Sequence, residues 1–255
     1  MGTSSRHRRW ILILLACNVV TLGLLIALGS RYRVGAKAWQ RLFHEGRAPL
    51  LQPEYRNNRK YEASQEIFRL YPVQPVEGIV LGDSQVAGVS WPELMAPAKV
   101  VGRGIDGDTA EGLLARLEDL AVSDPRWLAV MIGTNDVLNG RNSTEIAESI
   151  IDYCKRMIAQ HPDTLILLVS IPPMANWVER AERRNEIIEE INRRLRDHCS
   201  GKAGLRWIPL SERIRDPSGH LARSMTTDGI HLGADAYAKL RDLIRGATKD
   251  LPSIR

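Results

Sequence analysis

Cysteine is scarce in this chain, and so is any arrangement that would give cysteine a metal or a disulfide framework. Cys17, Cys154 and Cys199 are the three present; they form no C-x-x-C pair and stand at no metal-ligand spacing from a histidine, so no zinc site is expected. Cys17 lies inside an apolar run, which leaves Cys154 and Cys199 as the pair able to join, and nothing in the sequence brings them together. Acidic residues are missing from the first 44 positions, where seven of the 35 basic residues lie (Arg6, Arg8, Arg9, Arg31, Arg33, Lys37 and Arg41). The rest of the chain holds 28 basic against 30 acidic residues, a formal charge of −2. The overall excess of +5 therefore belongs to the flanks of an N-terminal apolar segment, and no electrostatic case remains for nucleic acid as a partner. Internal repeats and low-complexity tracts are absent as well. Hydrophobic and charged contents of 44% and 25% are those of a globular protein, which excludes general disorder and a multispan membrane protein.

Residues 10–29 read WILILLACNVVTLGLLIALG, with Asn18 and Thr21 as the clearly polar members. This is about the ~20 apolar residues that cross a bilayer core. The segment is expected to be a single-pass membrane anchor after a short tail, residues 1–9. Two other readings stay open. Arg6, Arg8 and Arg9 before Ala27-Leu28-Gly29 fit a cleaved signal peptide, and Leu14-Leu15-Ala16 before Cys17 fits a lipoprotein signal. The anchor is favoured because the run exceeds the ~7–15 residues of a signal core and stays apolar beyond Cys17. Basic residues nearly balance across it; the expected orientation puts the N-terminus inside and the following domain outside the cytoplasm.

Residues 30–76 read as a stalk or packing extension, with partial helical patterns at 36–45 and 62–70. Beyond them, short apolar runs alternate with longer amphipathic stretches, the sequence form of βαβ units. Strands are expected at 78–81, 99–101, 127–132, 165–170 and 205–210. The runs LAVMI and LILLV are continuous in the way that buried parallel strands require. Helices are expected at 90–95, 110–120, 143–160, 177–198 and 234–246, with a loop at 211–228 around Asp216-Pro217-Ser218-Gly219. The predicted fold is a three-layer α/β/α sandwich on a mostly parallel sheet, with functional residues at the carboxyl ends of its strands.

Four polar motifs fall at such ends. Gly82-Asp83-Ser84 follows the apolar run Ile79-Val80-Leu81 and would expose a hydroxyl at the sheet's rim, although an N-cap serves equally well. The motif is not a G-x-S-x-G elbow, because Val86 stands at the second glycine position. The stretch from Gly102 to Thr109 (GRGIDGDT) has three glycines in six positions. It could present backbone N–H groups to an anion, but lacks both Gly-Lys-Ser/Thr and G-x-G-x-x-G. In Gly133-Thr134-Asn135-Asp136, the Asn135 amide could donate to a developing oxyanion, or the motif could be an ordinary turn. In Asp228-Gly229-Ile230-His231, one tight loop can hold a carboxylate against an imidazole.

Singly, each motif has a plain structural explanation. Together and in this order, GDSQVAGV, GRGIDGDT, GTND and DGIHL resemble the four sequence blocks of the SGNH hydrolase superfamily, the GDSL-like lipases and acylhydrolases. Ile171-Pro172-Pro173 is also similar to that family. The resemblance implies an esterase domain over residues 77–250 with a flavodoxin-like five-stranded sheet. It also implies Ser84 as nucleophile, His231 as base and Asp228 as its partner. Ser84, Gly107 and Asn135 become the oxyanion donors, and no cofactor or metal is needed. One position departs from the family: Gly102 stands where the second block often begins with Asn.

The implied reaction is acyl-enzyme hydrolysis of a small-molecule or polysaccharide ester. Two alternatives stand beside it. One is an O-acyltransferase or deacetylase working on cell-envelope polysaccharide; the other is a catalytically silent carbohydrate-binding scaffold. Specificity is expected from the loops at 84–94, 137–141 and 174–180, with Trp91 and Trp177 as either pocket-lining or packing residues.

Overall fold

The computed structural model describes residues 59–70, 75–117 and 125–251. The expected tail and anchor at 1–29 and the helical pattern at 36–45 lie outside the described residues. Among the described residues no helix is long and apolar enough to cross a membrane.

The described chain begins with helix α1 (Arg59–Leu70), which contains the predicted 62–70 pattern. Five strands follow: β1 (Gly78–Gly82), β2 (Val100–Gly104), β3 (Trp127–Met131), β4 (Leu165–Val169) and β5 (Leu205–Ile208). All pair in parallel in the order β2-β1-β3-β4-β5, the flavodoxin-like arrangement. Every residue of β1 and β3 is buried, because helices cover both faces of the sheet.

Strand alternation splits the interior into two cores. Ile79 and Leu81 of β1 and Leu128 and Val130 of β3 face helices α4 (Ala110–Ala115), α6 (Ser143–Gln160) and α7 (Ala181–Cys199). Val80, Ala129 and Leu167 point the other way. They meet α2 (Ser84–Ala87), α3 (Trp91–Met95), α8 (Ser211–Ile214) and α9 (Ala234–Thr248). These are the three expected layers. Full burial of such an aliphatic side chain contributes roughly 1.5–3 kcal/mol, so the layers are held chiefly by apolar contact.

Several boundaries differ from expectation for local reasons. The helix expected at 110–120 stops at Ala115, where Arg116 becomes the C-cap and turns its side chain inward. The helix expected from 177 starts at Ala181, after Arg180 takes a left-handed backbone with φ 56°. The 211–228 loop contains α8 and a 3-10 turn, Arg223–Met225. Two helices, α2 and α5 (Thr134–Leu138), directly follow strands and are too short to show a period. Trp91 proves to be a core residue, 1% exposed, with its indole N–H bonded to the Val86 carbonyl. Its ring also accounts for the departure at Gly102: a Cβ there would overlap it.

Candidate active site

Ser84 opens α2 immediately after β1, where the Asp83 side chain caps the helix by accepting from the Gln85 N–H at 3.0 Å. In strand order 2-1-3-4-5 the crevice for a ligand lies at the β1/β3 switch point. Gly82 pairs with Gly104 on one side and Met131 on the other. The segments carrying Ser84, Gly107 and Asn135 therefore leave the sheet side by side.

A continuous hydrogen-bonded chain runs out from Ser84. Its Oγ lies 3.0 Å from His231 Nε2, and His231 Nδ1 lies 2.6 Å from Asp228 Oδ2. With Nδ1–H donating to the carboxylate, Nε2 is left as an acceptor facing the hydroxyl. Asp228 Oδ1 also accepts the backbone N–H groups of Ile230 at 2.9 Å and His231 at 2.8 Å. Desolvation alone would raise the Asp228 pKa, but these bonds, with the His231 ring, hold it down to about 2. Thr226 braces the turn, its Oγ1 accepting from the Gly229 N–H and donating to the His231 carbonyl.

On the other side, Gly107 occupies a turn closed by the Asp108 N–H donating to the Ile105 carbonyl at 3.1 Å. Its φ of 76° is one that a side chain would strain. Asn135 Nδ2 donates to the Asp108 carbonyl at 2.9 Å, which seats its carboxamide against that turn. Among the described residues no hydrogen bond joins Gly107 or Asn135 to Ser84; the sheet register alone sets them near it.

Behind this rim lie three buried carboxylates, Asp83, Asp108 and Asp136. Asp108 accepts from Arg116 Nε at 2.9 Å, and Asp136 from the Ala110 N–H at 2.9 Å and from Arg141 at 3.1 Å. Burial pushes Asp136 up to about 6, despite those two bonds. Asp83 rises to about 7, mainly through burial and further through the charges on Asp108 and Asp136; among the described residues its Oδ2 has no hydrogen-bond partner.

The raised value at Asp83 has a definite sign. Folding favours its neutral form, so its contribution to stability is full below its ordinary value of 3.8 and is lost as pH rises through about 7. Asp83→Asn keeps an acceptor for the Gln85 N–H and removes the charge. The variant should therefore be more stable than the parent at pH 8, by roughly 1–3 kcal/mol, with the gap closing towards pH 4. Thermal melting of both across that range checks this; a difference independent of pH would contradict it.

Gln85, Arg116 and Asp108 tie these segments together, and neither Gln85 nor Arg116 stands out in the sequence. Arg116 sits at a helix end where a solvated side chain is the ordinary outcome, yet it is 2% exposed.

The sequence profile of the GDSL-like lipase/acylhydrolase family matches residues 80–239. The thioesterase 1/protease 1/lysophospholipase L1 of Escherichia coli (strain K12) is 28% identical over 176 residues, covering 64% of this chain and 79% of that protein. The platelet-activating factor acetylhydrolase IB subunit alpha2 of Rattus norvegicus is 25% identical over 184 residues, covering 68% and 78%. Among solved structures, a GDSL-like lipase from Bacteroides thetaiotaomicron VPI-5482 superposes with a TM-score of 0.65. The match covers 75% of this chain and 98% of that one, at 21% identity, a likeness of fold.

Proposed function

Because the chain belongs to the GDSL-like lipase/acylhydrolase family and is thereby a hydrolase of ester bonds, we propose that it works as a serine esterase through an acyl-enzyme on Ser84. The observation that carries this reading is the unbroken chain from Ser84 Oγ through His231 to Asp228, at 3.0 and 2.6 Å. His231 Nε2 takes the hydroxyl proton as Oγ bonds to the ester carbonyl carbon. Asp228, ionised down to about pH 2, stabilises the imidazolium that results.

The tetrahedral oxyanion accepts from the N–H groups of Ser84 and Gly107 and from Asn135 Nδ2. Asn135 has a hydrogen for this: an amide nitrogen carries two, and the Asp108 carbonyl takes one. His231 then returns its proton to the departing alkoxide, breaking the ester C–O bond. Water enters by the same route in reverse to release the acid. The side-chain donor contributes on the order of 10²–10³ in turnover at such a site.

A second reading narrows the alcohol to a sugar, making the enzyme a deacetylase or O-acyltransferase on cell-envelope polysaccharide. Trp177 favours it. Its indole is 47% exposed, lies under the Arg223 guanidinium at 5.1 Å and packs against Gly229, inside the Asp228–His231 turn. The leaving alcohol must approach His231 to receive its proton, and the exposed indole, packed on the turn that carries His231, offers apolar surface to a sugar ring. Residues 10–29, acting as an anchor with the domain outside the cytoplasm, would keep the enzyme near that polymer. Turnover of p-nitrophenyl esters from acetyl to octanoyl, set beside O-acetylated sugars, tests both readings. Preference for the sugars supports the second, preference for simple esters the first alone, and no turnover of any ester would overturn both.

A further inference from the structure

Gln85 follows Ser84 directly and is 1% exposed, yet its carboxamide bonds far along the chain. Its Nε2 donates to the Ile230 carbonyl at 2.7 Å, and its Oε1 accepts from the Leu232 N–H at 3.1 Å. These two partners flank His231. One side chain therefore presents to His231 the donor and acceptor pattern that a paired parallel strand would present to a single residue. The Gln85 main-chain carbonyl accepts from Tyr237 Oη at 2.7 Å, which joins the same residue to α9.

The need for such a clamp is visible in the exposure of the loop. The His231 and Asp228 side chains are 46% and 52% exposed, so packing holds them only in part. The Thr226 and Asp228 bonds shape the turn, and the Ala175 N–H bond to the Gly229 carbonyl and the buried Leu232 hold it to the domain, but none of these ties it to Ser84. Gln85 supplies that tie from the residue next to the hydroxyl.

We infer that Gln85 is the positioning residue that sets the Ser84–His231 separation. It touches no reacting atom and acts through the His231 backbone. This inference rests on the reading of Ser84 and His231 as nucleophile and base.

Two variants of the full chain test it beside Ser84→Ala. Gln85→Met keeps the length and removes both hydrogen bonds; Gln85→Asn keeps the carboxamide but is one methylene too short to span Ile230 and Leu232. A misplacement of about 1 Å at a reacting pair costs ~10²-fold, so each folded variant should lose about that factor in kcat. KM should stay within about threefold, because the ester's contacts are untouched. Near-UV circular dichroism identifies the folded variants, and the polar Asn variant decides the matter if Met disrupts the interior. Parental kcat in either folded variant, or a loss confined to KM, would overturn the positioning role. Activity surviving in Ser84→Ala would instead overturn the reading beneath it.

Discussion

Ser84→Ala is expected to lower kcat for ester hydrolysis by about 10⁴–10⁶-fold while leaving the fold intact. The size follows from the role: without Oγ no acyl-enzyme forms, and a water would have to attack unaided by the path that the His231 proton transfer serves. What would survive is the modest acceleration from the oxyanion donors and from ester binding. The fold should not suffer. The Ser84 side chain is bonded to His231 rather than to the helix, and Asp83, not Ser84, supplies the cap. Alanine is also a good helix former at this first helical position. Stability is expected to change by less than about 0.5 kcal/mol, as for an ordinary substitution outside the core. Steady-state turnover with a p-nitrophenyl ester, together with thermal melting, gives both quantities. Near-parental turnover in a folded variant would remove Ser84 from the mechanism.

Arg116→Leu should have the largest effect on stability, about 3–5 kcal/mol or on the order of 10 °C in melting temperature. Arg116 and Asp108 form an ion pair with side chains 1% and 0% exposed, and the guanidinium also donates to the Gly82 carbonyl at 3.1 Å. A buried pair of this kind has little net value against an apolar pair of similar volume, because desolvating both charges offsets their attraction. Removing one partner is another matter: the Asp108 carboxylate would remain in the interior without its guanidinium. The same reasoning predicts that Asp108→Asn, added to Arg116→Leu, recovers part of the loss. Melting curves of the two variants decide it, and an Arg116→Leu protein that melts with the parent would contradict the assignment. Asp108 adjoins Gly107 and its carbonyl receives Asn135, so the damage should reach activity as well.

The sheet was legible because buried parallel strands have a simple signature. LAVMI and LILLV have no polar side to hide, and both faces of β3 and β4 are covered. The site residues were legible only jointly. Gly-Asp-Ser by itself is a turn or a cap, and in the structure Asp83 does cap α2. Weight came from the order of the four motifs, three directly after β1, β2 and β3 and the fourth in the loop before α9, an order that the fold turns into proximity. Ser84 and His231 are 147 positions apart and 3.0 Å apart in space.

The supports of the site were not legible. Gln85 reaches Ile230 across 145 positions, and a buried glutamine leaves no period or motif by which its partner could be guessed. Arg116 falls inside the helix expected at 110–120, where a solvated cation is ordinary, and its inward turn depends on Asp108, which the sequence offers only as a cap in a glycine-rich loop. Trp91 and Trp177 could not be told apart by type: one fills the core, the other stands at the surface beside Gly229.

Covalent labelling distinguishes Ser84, the hydroxyl activated by His231 and Asp228, from every other serine in the chain. A fluorophosphonate captures an activated serine by phosphonylating its oxygen and expelling fluoride, so peptide mass mapping reads the modified position without knowledge of the natural ester. One equivalent of phosphonate is expected on the peptide containing Ser84, and no labelling of Ser84→Ala or His231→Ala. A protein that hydrolyses esters yet carries the label elsewhere, or not at all, would contradict it.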